Sequence, residues 1–222
     1  MQDMLEARAD QIVEQLKRDA RLGGYVDGTL PTPEPYQGTG KISLIVLGQD
    51  PTVKDPAARK AINTVLNLDK SGSVRVYLAG VCNDLGIKLT ENVYATNLYK
   101  SFFVRPPTQI AEVDLFRECI GLWLPLLKEE LAPFGAVPVI TLGEPLFRAL
   151  MGGGAAAKVR AYWGYTPEWK TRGPGPFDYV RAADNPLGRA VFPFPHQPSL
   201  RKQFYKGRMK AYTSFVRAVA FS

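Results

Sequence analysis

Three stretches of this 222-residue chain end an apolar run on a residue able to do chemistry. The run over 42–48 leads into Gly48-Gln49-Asp50-Pro51 and offers a carboxylate. Val93-Tyr94-Ala95-Thr96-Asn97 closes on an amide. A later run leads into Pro195-His196-Gln197-Pro198-Ser199-Leu200, which holds the single histidine of the chain. With that histidine and two cysteines, Cys82 and Cys119, the chain is short of the roughly four Cys or His ligands that zinc sites and cysteine-held iron–sulfur clusters use. The cysteines read as reduced core residues of a cytosolic protein. A Ser-His-Asp triad is compatible with the inventory, but no Gly-x-Ser-x-Gly elbow is present. Gly38-Thr39-Gly40-Lys41 falls short of a phosphate loop, because Pro35 takes the first glycine's place and Ile42 follows the lysine.

Positioning these residues requires strands. Residues 41–48, 92–96, 136–142 and 190–194 read as four of them, the first fully buried. Leu5, Ala9, Ile12 and Leu16 recur at helical spacing, so the first 22 residues form an amphipathic helix ending near Gly23-Gly24. Residues 25–40 are rich in Gly, Pro and Thr and read as a loop. Further helices are expected over 56–66, 74–86, 115–131 (with Pro125 inside), 144–151 and 203–219. Gly152-Gly153-Gly154 reads as a flexible helix end. Strands alternating with helices imply one α/β domain over 1–222, a three-layer α/β/α architecture with a central, mostly parallel four-stranded sheet. Residues 1–40 supply its N-terminal helix and loop. In such sheets ligands bind beyond the carboxyl ends of the strands, and that topology gathers Asp50, Asn97 and His196 around one pocket.

The composition, 45% apolar and 22% charged, is that of a globular protein and excludes disordered and fibrous chains. No apolar run reaches the length of a membrane span, and the N-terminus lacks a signal-peptide core. A soluble, cytoplasmic protein is expected, nucleoid-associated in a bacterium. The net charge of +7 is uneven: residues 158–222 hold 12 of the 28 basic residues but only 3 of the 21 acidic ones. That segment is either a solvated basic face or a surface for phosphates, whose neutralisation releases counterions. Within it Tyr162, Trp163, Tyr165 and Trp169 adjoin Arg160, Lys170 and Arg172. They form a small satellite core, or else stack the bases of a single strand.

Taken together, the three strand-end motifs resemble the uracil-DNA glycosylase superfamily over about residues 41–212. The family's Gly-Gln-Asp-Pro-Tyr-His is similar to Gly48-Gln49-Asp50-Pro51-Thr52-Val53. Its base-reading Asn corresponds to Asn97, and its His-Pro-Ser-Pro-Leu to His196-Gln197-Pro198-Ser199-Leu200. Gly143-Glu144-Pro145 sits where the family has a backbone-binding loop. The resemblance implies a glycosylase-like fold and a monofunctional DNA glycosylase that flips its base out of the helix. It implies Asp50 as the carboxylate at the sugar and His196 as the neutral donor to the leaving base. Gln49, Asn97, Thr52 and Leu66 would surround the base. Gly143, Ser199, Leu200, Arg201, Lys202 and Lys206 would meet the DNA, with Leu200 as the wedge. No metal or cofactor is implied, and a monomer acting on single- or double-stranded DNA is expected.

The sequence departs from the pattern at telling places. Thr52 stands for the Tyr that excludes a thymine methyl, and Val53 for the following His. The region of the family's stacking Phe reads Asn63-Thr64-Val65-Leu66-Asn67, with Leu66 the nearest apolar side chain. Uracil or a 5-substituted relative is therefore the expected substrate; a glycosylase-like module that binds DNA or protein without catalysis is the alternative. Each residue also has a plainer role: Asp50 as a turn former, Asn97 as a strand-end cap, Leu200 as an anchor for the last helix.

Overall fold

A computed structural model describes residues 2–152 and 158–221, so Gly153 and Gly154 of the expected flexible helix end lie outside the described residues. The first helix, α1 (Gln2–Arg18), stops before the expected position. Asp19 turns the chain, its carboxylate accepting from the Arg21 and Leu22 N–H groups at 2.8 and 2.9 Å. The expected loop of 25–40 holds two short strands, β1 (Val26–Asp27) and β2 (Tyr36–Gln37). There follow β3 (Leu44–Gly48), α2 (Pro56–Arg59), α3 (Ser73–Leu85), α4 (Leu89–Asn92), β4 (Val93–Asn97) and β5 (Phe102–Phe103). Next come α5 (Leu115–Leu131), continuous through Pro125, then β6 (Val139–Leu142) and α6 (Glu144–Leu150). After residue 158 lie α7 (Val159–Tyr162), α8 (Trp169–Arg172), β7 (Val191–Phe194) and α9 (Met209–Ala220).

The protein is α/β. Among the described residues its main sheet has five strands in the order β2-β4-β3-β6-β7, which corrects the expected four. Four of them, β4, β3, β6 and β7, run parallel. The fifth, β2, pairs antiparallel with β4, Tyr36 opposite Ala95, so the sheet is mixed. Two residues of polar, Pro-flanked sequence carry too little pattern to announce such an edge strand. Every residue of the four parallel strands is buried. Burial at consecutive positions requires cover on both faces. Helix α3 packs on α9, and α1 on α5, which also touches α6.

Two expected helices are shorter than their periodicity. The one over 56–66 ends at Arg59, because the chain beyond is captured by Glu34. Its N–H donates to the Asn63 carbonyl and its carbonyl accepts from the Val65 N–H, at 2.8 and 2.9 Å. The one over 203–219 starts only at Met209, after Gly207 at φ +77°.

Trp163 anchors the C-terminal half. It is fully buried and stacks on Tyr212 at 4.2 Å between centroids, and its indole N–H donates to the Pro193 carbonyl at 2.9 Å. Trp163→Ala is expected to lower stability by about 3–5 kcal/mol, read as a fall in the urea midpoint.

Candidate active site

The carboxyl ends of the parallel strands line up along one edge of the sheet. Gly48 lies opposite Asn97 in the ladder between β3 and β4. Asn97 is 2% exposed, and its amide folds across the glycine. A Cβ on residue 48 would lie 2.2 Å from Asn97 Oδ1 and 3.2 Å from Leu66 Cδ2. The amide occupies space that any other residue at 48 would take. Asn97 Oδ1 is buried and accepts no hydrogen bond among the described residues. An acceptor left so costs about 1–3 kcal/mol, which a donor on a bound ligand would recover. Leu66 completes this corner from an unfavourable backbone: it and Asn67 hold φ of +59° and +51°, where side chains other than glycine are strained.

Just beyond Gly48, Asp50 is partly buried. Its Oδ1 accepts from the Thr52 N–H at 2.8 Å and its Oδ2 from the Gln49 amide at 2.6 Å. Loss of water pushes its pKa above 3.8, against the pull of the Thr52 and Gln49 donors and the charge of Arg59. Thr52 is held in turn, its hydroxyl accepting from the Phe103 N–H at 2.8 Å. Arg59, 4% exposed, joins none of the ion pairs among the described residues. Instead it donates to the carbonyls of Val53, Phe103 and Val104 at 2.8, 2.9 and 3.0 Å. It staples the Asp50 loop to β5.

A buried charged network stands behind Asn97. Lys100 Nζ lies 2.5 Å from Glu130 Oε2 and donates to Thr96 Oγ1 and the Asn97 carbonyl at 2.6 and 3.1 Å. The Tyr94 hydroxyl donates to Glu130 Oε1 at 2.8 Å. The network fixes the end of β4 from a helix 30 residues along the chain, and sequence spacing gives no sign of it.

The other two strand ends form a second pair. Gly143, at φ +96°, donates its N–H to the Phe194 carbonyl at 2.8 Å. A Cβ there would meet His196 Cβ at 3.3 Å. His196 is exposed, yet partial loss of water around its ring pushes the pKa below 6.5. Tyr77 of α3 donates its hydroxyl to the Pro195 carbonyl at 3.2 Å. The same helix touches both the Val65–Asn67 turn beside Asn97 and the Gln197–Arg201 turn after His196. One strand spacing, about 4.8 Å, separates the β3 end from the β6 end. Thus Asn97 and Leu66 meet over Gly48, Gln49 and Thr52 hold Asp50 just beyond it, and His196 stands beside Gly143. Among the described residues no hydrogen bond joins the imidazole to Asp50 or Asn97. Cavities of about 810 Å³ beside α5 and α6 and about 590 Å³ beside Phe204 open elsewhere and are lined by none of the three.

Ser199 and Leu200 are partly buried in the Gln197–Arg201 turn, and Arg201, Lys202 and Lys206 are exposed beyond it. The Ser199 N–H donates to the His196 carbonyl at 2.7 Å, closing that turn. None of the ion pairs among the described residues involves the three cations.

No protein-family model matches the chain, and no curated protein matches it.

Among the described residues no three His, Cys, Asp or Glu side chains group as a metal site. Cys82 and Cys119 are free and buried, and burial pushes each thiol up to about 12. No helix among the described residues is long and apolar enough to cross a membrane.

The folded carboxyl of Asp50 holds its proton more tightly than the unfolded one. The stability linked to that proton is present below about pH 3.8 and declines as pH rises through the raised folded value. Asp50→Asn is therefore expected to match or exceed the parent's urea midpoint at pH 7, with the difference closing by pH 3. A deficit that persists unchanged across that range would contradict it. Lys100→Met alone, which strands the Glu130 carboxylate, is expected to lose about 3–5 kcal/mol. Lys100→Met with Glu130→Gln loses less than the single change in the same assay.

Proposed function

We propose that this chain is a DNA glycosylase that hydrolyses the N-glycosidic bond of uracil, or of a related 5-substituted pyrimidine, in DNA and leaves an abasic site. The observation that carries the reading is the Asn97 amide, whose buried oxygen lacks a donor beside the loop that presents Asp50. A uracil ring has an N–H next to a carbonyl. An amide held in one orientation accepts from the first and donates to the second, and cytosine offers the opposite pattern at that edge.

The chemistry follows from the residue types. As the C1′–N1 bond stretches, positive charge grows on the sugar and negative charge on the departing base. The Asp50 carboxylate stabilises the sugar cation and orients a water for attack at C1′. The new C1′–O bond replaces C1′–N1, the electron pair of the old bond leaves with the base, and the water's proton passes to the carboxylate. His196, kept neutral by its lowered pKa, donates an N–H to the base carbonyl as the anion forms. Such a donor acts as an oxyanion hole does. The raised pKa of Asp50 suits a group that takes up a proton late in the reaction. Arg201, Lys202 and Lys206, exposed and outside every described ion pair, serve backbone phosphates. Leu200 fills the stack that the base leaves.

Thr52 bears on substrate choice. Its side chain is short and its hydroxyl is taken by the Phe103 N–H, so it puts no ring against C5 of the base. That supports a substrate range reaching 5-substituted uracils.

Purified protein is expected to leave alkali-labile sites in uracil-containing oligonucleotides. Asp50→Asn abolishes most of this activity, and His196→Ala lowers kcat by about 10²–10³. Thr52→Tyr narrows cleavage toward unsubstituted uracil. Intact oligonucleotides across single- and double-stranded uracil and 5-substituted substrates would overturn the reading. Salt-dependent binding without base release would assign the fold to a non-catalytic module.

A further inference from the structure

The aromatic residues around Trp163 divide between two environments. Trp163 is core, and Tyr162 packs edge-on against the buried Phe147 at 5.1 Å. Tyr165 and Trp169 instead join Phe204 in a triangle of partly exposed rings, with centroids 5.2, 5.0 and 5.8 Å apart. These three rings line the 590 Å³ cavity together with Lys158, Arg160 and Lys170, and among the described residues no carboxylate lines it. Arg160 lies over the Phe204 ring at 5.1 Å, and Arg208 over Tyr165 at 5.4 Å. Lys158, Arg160 and Lys170 join none of the ion pairs among the described residues. Glu168 is the nearest acid in the sequence, but it lies outside the lining.

Open rings with only cations around them fit an occupant that carries both flat faces and negative charge. An unpaired nucleotide has a base that stacks and a phosphate that attracts the cations. The cavity's position agrees. Gln203 and Phe204 line it, and they directly follow the Gln197–Arg201 turn and the exposed Lys202. A strand crossing that turn reaches the rings next.

We propose that this cavity is a subsite for single-stranded DNA, holding an unpaired nucleotide of the strand whose extruded base enters the candidate active site. Only the direction of the strand rests on the glycosylase reading; binding at the rings does not.

The test uses the whole protein and an undamaged oligothymidylate, so that base release plays no part and the two readings fail separately. Trp123 and Trp163 are fully buried, which leaves Trp169 as the tryptophan a stacked base can reach. Adding the oligonucleotide is expected to quench tryptophan fluorescence. Trp169→Phe keeps the affinity, read by anisotropy of the labelled strand, and loses the quenching. Trp169→Ala weakens binding by about tenfold, the scale of one lost stacking contact. Lys158→Ala with Lys170→Ala, a change of two exposed side chains, lowers the slope of log affinity against log salt by about 1.4. The lysine variant decides the question if Trp169→Ala fails to fold. Unchanged affinity and unchanged salt slope in these variants would overturn the proposal, as would equal quenching by an acidic polypeptide.

Discussion

Asn97 Oδ1 rests where a side chain on residue 48 would begin, and much of the candidate site is organised by that contact. The two residues face each other because β3 and β4 run parallel in a fixed register. A shift of that register by one residue would turn the amide to the other face of the sheet. Leu66 shares the spot, its methyl group reaching the same point above Gly48. The left-handed backbone at Leu66 and Asn67 is the local cost of delivering that methyl. Hydrogen bonds from the Val65–Asn67 turn to Glu34 and Thr64 hold it in place.

Charge is handled differently on the two sides of this contact. Behind it, Lys100 and Glu130 neutralise each other in the interior and use their remaining polar atoms on Thr96, Tyr94 and the Asn97 carbonyl. Such a pair adds little stability over an apolar filling, yet it fixes one arrangement and penalises others. In front, Asp50 and His196 have no such partners, and burial draws both toward their neutral forms. Arg59 is the intermediate case. It is a buried cation satisfied by three carbonyls, and its field reaches the Asp50 carboxylate without a direct bond.

The parallel strands were legible in the sequence because strands buried on both faces are plain apolar runs, as in Leu44–Gly48 and Val139–Leu142. Helix α5 was legible over its whole length, Leu115–Leu131. The motif residues fell at strand ends because parallel strands present their carboxyl ends together. What stayed hidden depends on partners distant in the chain. The helix expected over 56–66 gave way to backbone pairing with Glu34. Strand β2 has two residues and no pattern of its own. Helical periodicity says nothing of the carbonyls that Arg59 meets on the Asp50 loop and beside β5, and nothing near Lys100 announces Glu130. The aromatic residues of 162–169 stand together in the sequence, but position along the chain does not say which rings turn inward. Trp163 did, and Trp169 did not.

The bond from the Trp163 indole to the Pro193 carbonyl bears on how this chain behaves in company. Strand β7 is the margin of the sheet, and margins offer free backbone groups on which another molecule can template a strand. Here Pro193 has no N–H to offer and its carbonyl is already occupied. Val191 exchanges both of its backbone bonds with Val180, each at 2.9 Å. The indole, the proline and the Val180 bridge thus cover the outward backbone groups of a wholly apolar strand, without the lysines that usually guard such an edge.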